Sequence, residues 1–158
     1  MGITDQPDEC ADAAASYRRK FDWPCTAAGH AVWTLAGEAL DAVDVPEFFG
    51  PGIVDVLRHR PLAVIEVPGE PERWRFLVRP GAPRPHLLAR ELARYGAVHR
   101  KHAEVIELPP TRTRAGELRW LAGPDAAVPP LPEVAGALAA VVLAETERSR
   151  AEQGRARR

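Results

Sequence analysis

Short apolar runs that end at proline or glycine recur along this chain of 158 residues. In Arg73–Val78, apolar residues alternate with arginines, which is the period of a β-strand with one apolar face and one basic face. Proline cannot donate a hydrogen bond to a neighbouring strand, so Pro109-Pro110 ends the short apolar run at residues 105–108. The pattern predicts strands at residues 31–35, 62–67, 73–78, 97–100, 105–108 and 118–121.

Apolar residues at a spacing of three and four predict helices between these strands. The first runs over residues 7–20, with acids near its start and a basic triplet at its end, where the helix dipole favours each. Others are predicted at residues 86–95 and 133–147. Leu40 and Val43 suggest a short helix over residues 37–43, and Pro46 opens another that Gly50-Pro51-Gly52 interrupts.

Helices that flank five or more short strands indicate an α/β or α+β domain with a mixed or antiparallel sheet. The sequence predicts a single domain over residues 1–123. It is followed by a proline-rich connector at 124–132, a C-terminal helix at 133–148 and a disordered basic tail at 149–158.

Composition restricts where the protein acts. No apolar run reaches the length of a membrane span, and the acidic N-terminus lacks the order of a signal peptide, so we expect a cytoplasmic protein. Cys10 and Cys25 are too few for a disulfide scaffold. Together with His30 they match no common metal spacing, which favours two ordinary thiols.

The net charge of −1 conceals an uneven distribution of charge. Residues 1–72 have a net charge of −8, residues 73–119 a net charge of +7, and residues 120–158 a net charge of 0. Either one face is available to an anionic partner, or the two charged segments neutralise each other across the fold. The cluster His99–His102 is a candidate phosphate site, although a solvated turn explains it equally well.

Four segments between residues 11 and 122 have a recognisable sequence and order. Phe21–Pro24 is similar to a "GWPV" opening, Leu62–Val67 to a strand that ends in paired aspartates, and Arg73–Pro80 to a "YFRVP" strand. Glu107–Thr111, followed by Leu118–Trp120, is similar to a "PPS…G…Y.W" ending. In this order the segments resemble the primase-polymerase family, which has the archaeo-eukaryotic primase-like fold, and most of all its short actinobacterial members.

The resemblance implies a polymerase chemistry whose carboxylates hold two metal ions, and this chain departs from it. Glu66-Val67-Pro68 stands where the paired aspartates fall. Trp74 or Arg75 stands where the family has a histidine, and Val98 or His99 where it has a third acid. We therefore expect no catalytic residue, metal site or cofactor, and we expect Glu66 to lie in a salt bridge or in solvent.

The leading hypothesis is a non-catalytic primase-polymerase-like domain that binds nucleic acid or a nucleotide through a basic sheet face. An alternative is a regulatory module that binds a partner protein through the acidic N-terminal half, the proline-rich segment or the last helix. The third hypothesis is a residual nucleotidyltransferase that uses Glu66. The residues predicted to contact phosphate are Arg73, Arg75, Arg100, Lys101, Arg112 and Arg114.

Overall fold

The computed structural model describes residues 6–158, so the first five residues of the domain predicted over 1–123 lie outside the described part. The helices are α1 (Gln6–Phe21), α2 (Gly50–Val56), α3 (Pro85–Ala93) and α4 (Leu131–Ala156), with a 3₁₀ turn at Glu47–Phe49. The strands are β1 (Thr26–Ala28), β2 (Ala31–Leu35), β3 (Asp41–Pro46), β4 (Val64–Val67), β5 (Arg73–Val78), β6 (Val98–Arg100), β7 (Val105–Leu108), β8 (Arg112–Thr113), β9 (Gly116–Glu117) and β10 (Arg119–Ala122).

A five-stranded antiparallel sheet in the order β10-β4-β5-β3-β6 forms the centre of the fold. A smaller antiparallel sheet contains β1, β2 and β7, and β8 pairs with β9 in a short hairpin. The predicted α+β class, with one domain and an antiparallel sheet flanked by helices, is confirmed.

Both faces of the five-stranded sheet are covered. On one face, valines of β3 and β4 and Phe76 of β5 pack against α2, α3 and α4. On the other face, Ile65 and Leu77 pack against α1 and against Ile106 and Leu108 of the smaller sheet. A strand inside such a sheet has no solvent-exposed face, because each side chain meets one of the two cores.

The prediction that β5 presents a basic face to solvent is therefore wrong. Phe76 and Val78 face the helices as expected, but the opposite positions carry Arg75 and Leu77, which lie beneath the smaller sheet. Arg75 is only 5% exposed. The alternation identified the strand but could not show that a second layer covers its other face.

The helix predicted over residues 37–43 is also absent, since Asp41–Pro46 forms β3. β3 lies between β5 and β6 and pairs with both, so its backbone groups are satisfied by two neighbours. Val43 and Val45 are fully buried on one side of this strand. The spacing of Leu40 and Val43 fits a helix equally well, and tertiary pairing decides in favour of the strand.

The last helix is longer than predicted. α4 begins within the proline-rich segment at Leu131 and continues to Ala156, so the tail predicted as disordered from residue 149 is helical. Its composition of Ala, Glu, Gln and Arg favours helix, and Arg148 pairs with Glu145 at i,i+3. Within residues 6–158, no helix is both long enough and apolar enough to span a membrane.

Tyr17 links three parts of the fold. Its hydroxyl donates to the carbonyl of Pro109 at 2.6 Å and accepts the indole N–H of Trp120 at 2.9 Å. Its ring also packs against Trp23, with centroids 5.8 Å apart. Burial raises the pKa of Tyr17 to about 12, and burial raises the pKa of the Cys25 thiol to about 11.

We expect stability to fall as the pH rises from about 9 to about 12, because the unfolded chain then releases protons that folded Cys25 and Tyr17 retain. Tyr17→Phe should remove the tyrosine part of this fall. At neutral pH it should lower the free energy of unfolding by about 1–3 kcal/mol, since the Trp120 N–H loses its partner. Urea titrations at neutral and alkaline pH, followed by circular dichroism, measure both effects. Equal alkaline slopes for the two proteins would contradict the assignment to Tyr17.

Candidate functional site

The six cations predicted to contact phosphate are divided among several places. Arg73 donates from Nη1 to the backbone carbonyl of Gly96 at 2.9 Å. Arg112 and Arg114 lie on the exposed β8–β9 hairpin, where Nε of Arg112 is 3.7 Å from a Glu117 carboxylate oxygen. Of the other three, Arg75 lies on β5, the central strand of the five-stranded sheet, whereas Arg100 and Lys101 lie at the end of the edge strand β6.

Arg75 and Asp44 form a buried ion pair between the two sheets. Nε and Nη2 of Arg75 donate to the two oxygens of Asp44 at 2.7 and 3.0 Å, and Nη1 donates to the carbonyl of Glu107 on β7 at 2.9 Å. Nε of Arg100 also donates to Asp44, at 3.3 Å. A bidentate pair of this kind orients both groups and joins the sheets.

This arrangement gives Arg75 a structural role. Its three N–H-bearing nitrogens are all engaged within the protein, and its side chain is almost completely buried. Asp44 is likewise occupied by two guanidinium groups. Arg75 therefore does not serve as a phosphate contact, which corrects its place among the predicted site residues.

A pocket of about 500 Å³ opens on the other side of β3, beneath α3. Pro80, Ala82, Pro85 and Ala89 give it a mostly apolar wall. Volumes of this order accommodate a small-molecule ligand, and apolar walls with a few polar groups are typical of such sites.

Asp41 and His99 form the buried polar part of this pocket. Nε2 of His99 lies 3.2 Å from Oδ2 of Asp41, on neighbouring strands β6 and β3. The side chain of His99 is 2% exposed and that of Asp41 is 9% exposed. Within residues 6–158, Oδ1 of Asp41 and Nδ1 of His99 have no hydrogen-bond partner. Buried polar atoms without a partner are rare in proteins, so a pocket that contains two of them is a candidate binding site.

Cations and potential cations surround the same pocket. Lys101, His86 and His102 also line it. His86 lies in the first turn of α3, where the helix dipole favours an anion. Gly37 has φ of +93°, and a Cβ atom there would lie 2.5 Å from Nδ1 of His102. Only glycine lets His102 lie against this wall of the pocket.

Sequence reasoning identified Lys101 but missed Asp41, His86 and the separate roles of the two other histidines. Asp41 fell within a predicted helix, and His99 was considered only as part of the phosphate cluster His99–His102 and as the position of a lost acid. Strand residues three apart point to opposite faces, yet His99 and His102 both line the pocket. They do so because the strand ends at Arg100 and the chain then turns, with Ala103 at φ of +67°. The alternation at the end of this segment, where Asp44 separates Val43 from Val45, was the available signal for a strand.

Glu66, the acid considered for a residual polymerase, lies at the half-buried part of β4 and pairs in register with Arg119 and Trp74. A side-chain hydrogen bond to Glu66, which accepts from the protonated carboxyl of Glu72, raises the pKa of Glu72 above its usual value. Two carboxyl groups that share a hydrogen bond act on each other rather than as separate sites.

Among the side chains that the structure describes, from Glu9 to Arg158, no three or more of His, Cys, Asp or Glu are grouped so that they could hold a metal ion. Cys10 and Cys25 are both buried free thiols. Comparison of the chain with protein-family models, curated proteins and solved structures gives no significant match.

Proposed function

We propose that this chain is a cytoplasmic, non-catalytic, primase-polymerase-like domain that binds a nucleotide in the pocket beneath α3. The observation that carries the proposal is the combination, in one pocket of about 500 Å³, of apolar walls, Lys101, His86 and His102. Apolar walls can hold a flat ring, and the cationic side chains can hold a phosphate group.

The state of Asp44 supports a binding role without catalysis. A metal-dependent polymerase needs free carboxylates that converge on the metal ions. Asp44 is the buried acid between the two sheets, and Arg75 and Arg100 both donate to it. These two guanidinium groups occupy both oxygens of Asp44, so this carboxylate is not free to bind a metal ion.

The dispersal of the arginines supports a nucleotide over a long nucleic acid. A polymer is usually bound along a continuous basic surface. Here Arg75 is buried, and Arg73 donates to the protein's own backbone. A pocket of about 500 Å³ with Lys101 in its lining matches the size of one nucleotide better than that of a strand.

Titration of wild-type protein with a fluorescent AMP derivative tests the proposal. We expect saturable binding that Lys101→Glu/His102→Glu weakens about 10-fold or more, because a cation and an imidazole in the pocket lining become acids that repel the phosphate. The control is Arg112→Glu/Arg114→Glu, which replaces two basic side chains of the hairpin with acids and should leave AMP binding nearly unchanged. Thermal melts of all three proteins verify that the variants are folded.

A labelled oligonucleotide in the same assay distinguishes nucleotide binding in the pocket from binding of a nucleic acid elsewhere on the surface. Oligonucleotide binding that falls steeply with salt and is lost in Arg112→Glu/Arg114→Glu, without AMP binding, would overturn the pocket as the ligand site. It would instead support nucleic-acid recognition by the β8–β9 hairpin.

An interaction module is the second candidate function, and one observation favours it. Phe48 is 72% exposed beside α4, and a groove between them is lined by Phe49 and Val142. Phe48 adjoins Phe49 and Val142 in the lining of this groove, and exposed apolar side chains that are grouped in this way are typical of a protein contact. A protein interface with an apolar centre should bind almost equally at low and high salt, whereas phosphate binding weakens as salt is added.

A further inference from the structure

The buried part of the pocket lining contains two unpaired polar atoms, a carboxylate oxygen of Asp41 and an imidazole nitrogen of His99. Nε2 of His99 lies 3.2 Å from Oδ2 of Asp41. A carboxylate can only accept, so this contact places the imidazole proton on Nε2. In the neutral imidazole Nδ1 is then an acceptor. Oδ1 of Asp41 is an acceptor as well, and neither atom has a partner within residues 6–158.

The pocket lining therefore combines two kinds of chemistry. Asp41 and His99 contribute unpaired buried polar atoms, whereas Lys101 contributes a positive charge and His86 and His102 contribute imidazole groups that can donate to an anion. A ligand group that is itself an acceptor would leave the acceptors of Asp41 and His99 unsatisfied, which is costly in a buried site. An amino group offers two N–H donors and removes this cost.

We propose that the pocket selects ligands with an amino group at one end and an anionic group at the other, with the amino group hydrogen-bonded by Asp41 and His99. This inference rests on the proposed function, because it takes the pocket beneath α3 as the ligand site. It adds that, among nucleotides, those whose base carries an exocyclic amino group are preferred. Asp41 and His99 are then the residues that determine specificity.

Two pairs of nucleotides test the selection with little other change. AMP has an amino group where IMP has a carbonyl oxygen, and CMP has an amino group where UMP has a carbonyl oxygen. By isothermal titration calorimetry, we expect AMP and CMP to bind wild-type protein about 10-fold or more tightly than IMP and UMP, because the carbonyl would face acceptors. Equal affinities within each pair would overturn the inference and leave the proposed nucleotide function standing.

Substitution of Asp41 assigns the selection to a residue. Asp41→Asn keeps the shape of the side chain and a partner for His99, but it removes the charge and one acceptor. We expect the ratio of AMP to IMP affinity to fall toward one in this variant, while Arg90→Gln, on the outer part of α3, keeps the wild-type ratio. An unchanged ratio in Asp41→Asn would overturn the assignment. If that variant does not fold, the wild-type ratios alone decide.

A panel of common amino acids provides a second source of ligands with an amino group and an anionic group. Amino-acid binding that requires Asp41, without any nucleotide binding, would uphold the selection for an amino group and overturn the nucleotide as the ligand. If AMP, CMP, ribose 5-phosphate and the amino acids all fail to bind, both the inference and the proposed function are overturned. Binding of ribose 5-phosphate as tight as that of AMP would overturn the inference alone.

Discussion

Replacing Asp44 with alanine is expected to lower the free energy of unfolding by about 3–5 kcal/mol, the range for breaking a buried ion pair by removing one partner. The cause is the guanidinium of Arg75, which would remain buried between the sheets without its counter-charge. Arg100 would lose its carboxylate contact as well, but it is partly exposed and can be hydrated.

Chemical denaturation of wild type and Asp44→Ala measures this loss. Asp55→Ala is the matched control, because its 3.5 Å pair with Arg58 is exposed on both sides and should contribute about 0–1 kcal/mol. A second variant, Asp44→Leu/Arg75→Met, removes both charges and should recover much of the stability. A loss below about 1 kcal/mol in Asp44→Ala would mean that solvent reaches Arg75, contrary to the burial described above.

Truncation after Pro130, which removes α4, is expected to unfold the domain. Leu131, Val134 and Leu138 have no exposed surface, and they cover the face of the sheet that contains Phe76 and Val43. Burial of such side chains contributes about 1.5–3 kcal/mol each. Their combined contribution is comparable with the 5–15 kcal/mol that stabilises a typical domain. The residues predicted as a separate C-terminal helix therefore belong to the core.

Truncation after Arg148 provides the control for this experiment. It removes only the residues predicted as a tail, all of which are exposed on the last turns of α4. We expect the free energy of unfolding to change by no more than about 0.5 kcal/mol, as for surface changes in general. Far-UV circular dichroism and urea titration distinguish the two truncations. A folded, cooperative protein that ends at Pro130 would show that α4 is not part of the core.

Local patterns were sufficient to predict most of the secondary structure. The helix over residues 7–20 and the strands 31–35, 73–78 and 105–108 agree closely with α1, β2, β5 and β7. In these segments apolar spacing, proline turns and chain charge all favour the same element, so that local and tertiary preferences coincide. β3 was missed because its pairing partners lie far away in sequence, at β5 and β6.

The candidate site was much less predictable than the fold class. Lys101 was predicted as a phosphate contact and lines the pocket, whereas Asp41 and His99 are 58 positions apart and meet only when β3 pairs with β6. Arg75 shows the opposite case. Its alternation with apolar neighbours predicted an exposed cation, and the second sheet covers it.

The sequence by itself determined that this chain forms an α+β domain, because hydrophobic periodicity and turn residues act over a few neighbouring positions. It also determined an excess of arginine in the middle of the chain. Only the tertiary structure decided which of these charges are buried in pairs and which line a pocket. The reason is physical: the contacts of a charged side chain depend on which distant strand or helix packs over it, and local spacing does not encode that.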